Sequence, residues 1–320
     1  MKKTVMVLAL AVCVLAAAVA GGASEKASAE KTYKVGIAQF VQHVALDAAT
    51  QGFMDALKEE LGDKVVFDVQ NASGEMNNCA TIVNGFVSNK VDLIMANATP
   101  PLTAAASATS TIPVLGTSVT EYGVALDIDN FSGLVGTNVS GTSDLAPLDE
   151  QAAMIKQWFP STKKVGLLYC SAEPNSIYQV NTVEKYLTKD GIECRMFSFT
   201  DTNDVASVTQ KAAAWSDVIY IPTDNTAAAN TEAIANVVLS AKVPVIAGEA
   251  GICSGCGVAT LSISYYDLGV ATGKMAAQVL TGAAKISEMP IGYAAQVEKK
   301  YNANVCKALG ITPLAGYTAL

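Results

Sequence analysis

Side chains able to hold a charged small molecule gather in short clusters, each just after an apolar run. Gln39-Phe40-Val41-Gln42-His43 follows one run, Asn97-Ala98-Thr99-Pro100 another and Thr117-Ser118-Val119-Thr120 a third. Further along the chain, Ser171 to Ser176, Thr223 to Thr226 and Glu249 take the matching places. The first group offers amides, hydroxyls and helix starts, a good receptor for a carboxylate. The second offers the acids Glu173, Asp224 and Glu249, which suit an ammonium. A zwitterion is therefore expected to lie with its carboxylate on the first group and its ammonium on the second. The same residue types also serve as helix N-caps, so Thr99 and Asn225 keep two readings. Asp224 is the stronger candidate, because an acid at a strand's carboxyl end faces a cleft. His43 has no acid beside it in sequence and reads as a ligand contact or a lone imidazole, not as a base. Phe40, Tyr122, Tyr178, Tyr265 and Tyr266 offer faces for stacking, although most aromatic side chains are core or surface.

Catalytic chemistry finds little support. The chain has one histidine and lacks a dinucleotide-binding glycine fingerprint, a phosphate loop and a nucleophile elbow. Cys253-Ser254-Gly255-Cys256 could close a local disulfide. With no second cysteine pair and a single histidine it does not make a four-ligand metal site. No enzyme, metal or cofactor is expected.

The elements that must position these clusters occur twice. Lys34-Val35-Gly36-Ile37 returns as Lys164-Val165-Gly166-Leu167, and Asp92-Leu93-Ile94-Met95 as Asp217-Val218-Ile219-Tyr220. Ile112-Pro113-Val114 returns as Val243-Pro244-Val245. Each landmark is a short apolar strand, and helical stripes such as Leu46, Phe53, Leu57 and Leu61 lie between them. Strands are expected over 33–38, 65–70, 91–96, 113–115 and 134–136, then 164–169, 193–199, 217–221, 243–247 and 258–261. Alternating strands and helices predict an α/β fold of two Rossmann-like lobes with parallel sheets and right-handed crossovers. In such sheets ligands bind beyond the carboxyl ends of the strands. The expected division is lobe one over 30–142 plus about 264–288, and lobe two over 143–263 plus about 289–320. Three hinge crossings join them, near Gly141 to Asp144, Ile263 to Tyr266 and Met289 to Tyr293.

Lys2 and Lys3, the apolar run to Ala20 and Ala27-Ser28-Ala29 read as an export signal over residues 1–29, with cleavage after Ala20 as an alternative. Leu10-Ala11-Val12-Cys13 is a poor lipoprotein box, so lipid anchoring is not favoured. The net charge is −8 with no basic run, which argues against nucleic acid as a partner. Of seven cysteines, Cys13 lies in the signal, and Cys79, Cys170, Cys194, Cys253, Cys256 and Cys306 remain. Cys170 and Cys194 stand at opposite ends of neighbouring strands and are not paired.

Val35-Gly36-Ile37-Ala38-Gln39, His43-Val44-Ala45-Leu46-Asp47, Gln51-Gly52-Phe53 and Gln70-Asn71-Ala72 resemble the ABC-transporter solute-binding proteins of the tryptophan/tyrosine-binding type. So do Ala98-Thr99-Pro100, Ser143-Asp144, Glu173-Pro174-Asn175-Ser176, Tyr220 to Asn225 and Tyr265-Tyr266-Asp267-Leu268-Gly269. The resemblance spans essentially the whole chain after the signal. It implies a type I periplasmic binding protein that closes around a solute, an aromatic amino acid, and hands it to a membrane ABC permease as a monomer. A sensor module, or a binder of a sugar or nucleoside, is the alternative. Strand ends and motifs together give the expected ligand-binding set: Gln39, Phe40, His43, Asn97, Thr99, Thr117, Ser118, Asp144, Asn175, Ser176, Asp224, Asn225 and Glu249.

Overall fold

Continuous apolar runs form strands that helices cover on both faces, and the computed structural model describes residues 31–294 and 296–320 of the result. The export signal read over residues 1–29 lies outside the described residues. The chain opens with β1 (Tyr33–Gln39), α1 (Val44–Leu61), β2 (Val65–Asn71), α2 (Met76–Ser88) and β3 (Leu93–Asn97). It continues with α3 (Thr99–Ala108), β4 (Val114–Val119), α4 (Tyr122–Leu126) and β5 (Val139–Ser143). The second series is α5 (Leu148–Trp158), β6 (Lys164–Cys170), α6 (Pro174–Lys189), β7 (Glu193–Phe199), α7 (Val205–Trp215) and β8 (Val218–Ile221). Then come α8 (Asn225–Ala229), α9 (Thr231–Ala241), β9 (Val245–Ala247), α10 (Ala250–Cys256) and β10 (Ala259–Ser262). The last elements are α11 (Tyr265–Thr281), β11 (Gly292–Tyr293), β12 (Glu298–Tyr301), α12 (Ala303–Leu309) and β13 (Thr318–Ala319).

The first sheet has the order β11-β5-β4-β3-β1-β2 and the second β13-β12-β10-β9-β8-β6-β7. All pairings in the first are parallel. In the second, β12 runs antiparallel to β10, a departure from the all-parallel expectation at the edge away from β6. Register aligns Gln39 with Asn97 and Asn97 with Thr117, so the polar clusters after β1, β3 and β4 meet at one end of the sheet. In the second sheet Ile221 aligns with Ala247, which gathers the clusters after β8 and β9 in the same way.

Two expectations need correction. The fifth strand is Val139–Ser143, not 134–136. Gly133 and Gly136 take φ of +93° and +78° and turn the chain, leaving Leu134 exposed. The real strand is Val-Ser-Gly-Thr-Ser, buried yet polar. Its hydroxyls are met by partners far along the chain: Ser140 donates to Met289 O and Ser143 to Thr120 O, while Thr142 pairs with Thr272. The last crossing also comes later than Met289 to Tyr293. Gly292 and Tyr293 still pair with Thr142 and Ser143 on the first sheet, so the chain leaves that sheet between Tyr293 and Glu298.

α11 follows the second series in sequence but packs on the first. Small residues make this possible, because a Cβ on Gly269 would stand 2.0 Å from Ala49 O and one on Gly52 2.1 Å from Tyr266 O. No other residue permits backbones this close. The core of the first lobe includes Phe53, Leu57, Leu93, Met95 and Ala276, and that of the second Val165, Leu167, Val180, Tyr220 and Leu261. The six cysteines among the described residues are free, and five are buried. Cys253 and Cys256, whose local disulfide the sequence leaves open, stand unbonded in α10.

Candidate functional site

Both sheets turn the carboxyl ends of their strands toward one space. His43, Leu46, Ser118, Thr120 and Asp144 line it from the first lobe. Asn175, Thr223, Asp224, Asn225, Ala228 and Glu249 line it from the second, and Tyr265 closes it at the hinge. As the lobes stand, its free volume is about 10 Å³, room for a single water. A wider recess of about 360 Å³ opens at the rim, between Phe40, Val41 and Ser73 to Asn77 on one side and Ala172, Glu173 and Thr200 to Asn203 on the other.

The position of each side chain follows from local structure. His43 is the N-cap residue of α1 but makes no side-chain cap, so its side chain leaves the first N–H groups of that long helix uncapped. Ser118 sits at φ +54° near the end of β4, a conformation that L residues seldom take and that marks functional sites. Asp144 follows β5 at the first hinge crossing, and its N–H donates to Val119 O. Asn175 lies in the first turn of α6, where its Nδ2 donates to Glu173 Oε2 and Thr223 O. That network turns its Oδ1 toward the space.

Nine buried side-chain polar atoms among the described residues lack a hydrogen-bond partner, and four of them belong to residues lining this one space: His43 Nδ1, Ser118 Oγ, Asp144 Oδ1 and Asn175 Oδ1. Buried polar groups are nearly always paired, so their convergence is the mark of a receptor. Two are obligate acceptors, one is a hydroxyl that can donate, and one is an imidazole nitrogen. His43 Nε2 lies 3.3 Å from Asn225 Oδ1, across the lobes. Asn225 Nδ2 donates to Glu173, so its Oδ1 is the acceptor facing His43 Nε2.

The acids divide into two kinds. Glu173 Oε2 accepts from Asn225 N and Nδ2, and its Oε1 from Thr226 N and Oγ1. It is a fully engaged internal brace, and the expectation that it faces an ammonium is corrected on that ground. Asp224 accepts from Cys170 N and Ala227 N, and Glu249 from Gly251 N and Ile252 N. Both act as helix caps while lining the space. Asp144 alone leaves one carboxylate oxygen open; the other accepts from Tyr265 OH at 2.8 Å. Burial pushes Asp144 up to about 6, against the hydrogen bonds from Tyr265 and Thr120 that lower it. Burial, then the charge of Glu173, raises Asp224, and burial raises Glu249 against the pull of His43.

Of the expected set, His43, Ser118, Asp144, Asn175, Asp224, Asn225 and Glu249 meet at this space. Phe40 packs with Leu46, Ala72, Cys79 and Ala98 and reaches only the rim. Gln39 donates to Asp47 and accepts from Thr50, while Asn97 donates to Leu46 O and Thr50. Both therefore hold α1 in place and do not line the space. Thr117 pairs with Thr142, Ser176 accepts from Asn175, and Thr99 lies on a groove beside α2 and α3. Strand-end reasoning cannot tell these apart, since alternate side chains at a strand's end point to opposite faces. Leu46 and Ala228 line the space without having been singled out, Thr120 and Thr223 were named only within their clusters, and Tyr265 also lines it, with its hydroxyl bonded to Asp144.

Residues 34–314 match the family model described as ABC transporter substrate binding protein. The chain belongs to that family. This substrate-binding protein is 33% identical over 302 residues to a tyrosine-binding protein of Clostridioides difficile, covering 92% of this chain and 86% of the relative. The structure of an ABC domain in complex with L-Trp from Streptococcus pneumonia matches with a TM-score of 0.85 at 33% identity, over 90% of this chain and all of that one. The ligand-free, open structure of a substrate binding protein with adhesive properties from Clostridium difficile is 34% identical and covers 90% of this chain and 99% of that one. Its TM-score is only 0.68. At nearly the same identity, this substrate-binding protein is thus more similar in structure to the tryptophan complex than to the open form. The fold is that of a type I periplasmic binding protein.

Proposed function

We propose that this substrate-binding protein captures an aromatic amino acid outside the cytoplasm and delivers it to an ABC permease. The observation that carries the reading is the convergence of unpartnered polar atoms between the lobes. Their chemistry suits an amino acid's head group. The carboxylate would take the uncapped N–H groups of Val44, Ala45 and Leu46 and the Ser118 hydroxyl, where the dipole of an 18-residue helix adds attraction. The ammonium would take Asp144 Oδ1 and Asn175 Oδ1. This keeps the carboxylate on the first lobe, as the sequence suggests, but moves the ammonium's acid from the second lobe to the hinge. The relatives bound to or named for tyrosine and tryptophan point to an aromatic side chain.

A space of about 10 Å³ cannot admit such a ligand, so entry requires the lobes to part and the His43–Asn225 contact to yield. A ligand touching both lobes then favours the closed state by its differential contacts. The family is extracytoplasmic, and the signal read over residues 1–29 supplies the route of export. No described helix is long and apolar enough to cross a membrane.

A thermal-shift panel of amino acids, sugars and nucleosides on refolded protein tests this. Ligand at a hundredfold excess over Kd adds about 2.7 kcal/mol of stability. Selective shifts with L-tryptophan, L-tyrosine or L-phenylalanine support the reading, whereas shifts confined to sugars or nucleosides refute it.

A further inference from the structure

Asp144 and Tyr265 occupy the first two hinge crossings. Asp144 follows β5, where its N–H donates to Val119 O. Tyr265 opens α11 directly after the chain returns from β10. Their side chains meet across the hinge, with Tyr265 OH donating to Asp144 Oδ2 at 2.8 Å. Both are buried, at 3% and 7% exposure. Asp144 Oδ1 is left without a partner and faces the interlobe space.

No lysine or arginine lines that space, whose other ionisable groups are His43 from α1, Asp224 before α8 and Glu249 before α10. Around Asp144 itself stand Tyr265 from α11, Thr120 from the end of β4, Glu249 and, on α4, Tyr122, whose hydroxyl donates to Thr142 O. Burial and Glu249 oppose the charged form of Asp144, while the hydroxyl of Tyr265 first, then that of Thr120 and its own backbone N–H, favour it.

We propose that Tyr265 is a positioning residue for ligand capture: its hydroxyl aims Asp144 at the ligand's ammonium and keeps it ionised without a lysine or arginine neighbour, so that capture persists to lower pH than the buried acid alone would allow. This rests on the ammonium assignment above. A buried carboxyl with no cation beside it holds its proton more tightly than an exposed one. Asp144 titrates at about 6, inside the range an exported protein meets. A ligand ammonium binds the ionised form only. Affinity is thus full above that value and falls about tenfold for each pH unit below it.

The test compares wild type with Tyr265→Phe, which keeps the ring and removes the hydroxyl. Isothermal titration with L-tyrosine and L-tryptophan is run from pH 4.5 to 8, and carbon-13 spectra of aspartate carboxyls follow the ligand-free protein over the same range. The Asp144 signal is assigned by its loss in Asp144→Asn. The expected result is an acid limb and a carboxyl midpoint that both move upward in Tyr265→Phe, by about one pH unit for one charge-assisted hydrogen bond. Asp144→Asn should lose the limb altogether. Uniform weakening at every pH with an unmoved midpoint would mean that Tyr265 only packs, and would overturn the proposal. If neither amino acid binds wild type, the ligand assignment fails, and the carboxyl midpoint in the ligand-free protein still decides whether Tyr265 tunes Asp144. Should Tyr265→Phe not fold, Thr120→Val removes the other hydroxyl, with a smaller upward shift expected and no shift overturning the account.

Discussion

At the level of single residues, Glu173, Asp224 and Glu249 are engaged within the second lobe, whereas Asp144 leaves an oxygen open to the space between the lobes. Glu173 is buried and accepts from Asn225, Thr226 and Asn175. Glu173→Gln turns one acceptor oxygen into a donor and strands at least one of those groups, at about 1–3 kcal/mol. Urea unfolding should show that loss. Ser118→Ala removes a hydroxyl that has no partner inside the protein, so it should leave unfolding nearly unchanged. Titration calorimetry should show it weakening aromatic amino-acid binding by about 0.5–1.5 kcal/mol. Asp144 links stability to pH in a defined direction. Burial raises its folded value from 3.8 to about 6, so the stability it lends is full below 3.8 and is lost as pH rises through about 6, at about 1.4 kcal/mol per pH unit within that window. Urea unfolding of ligand-free protein at pH 4.5 and 6 should show this decline, flattened in Asp144→Asn.

At the element scale, the strands and helices were largely legible in the sequence because most obey one pattern, apolar strand then amphipathic helix. β5 escaped it, since Ser140, Thr142 and Ser143 satisfy their hydroxyls with partners far along the chain, which no local pattern encodes. The site was legible to the level of which loops meet, but not which side chains. Gln39, Asn97 and Thr117 have the right chemistry and sit in the right register, yet they brace α1 and β5. Asp144 was reached through the family resemblance and through the hinge crossing that the repeat places near Gly141 to Asp144, not through a polar strand-end cluster. The α1–α11 contact carries its own prediction. Gly269→Ala places a methyl 2.0 Å from Ala49 O and should cost about 1–3 kcal/mol through overpacking. Calorimetric melting would show a fall in Tm even with ligand present.

At the scale of the whole molecule, the protein has two α/β lobes, and in the proposed reading the first lobe and hinge carry the head-group contacts while the second lobe adds Asn175. The chain matches a tryptophan complex more closely than it matches an open relative. The central claim is that an amino acid's ammonium is held between the lobes. Titration calorimetry of refolded protein with L-tyrosine and L-tryptophan, each beside its N-acetyl derivative, tests it most directly. One or both free amino acids are expected to bind at one per chain, with the acetylated forms weaker by tenfold or more, as about 1.5–3 kcal/mol for a lost charge-assisted hydrogen bond requires. Equal affinity for the free and acetylated ligands would contradict it.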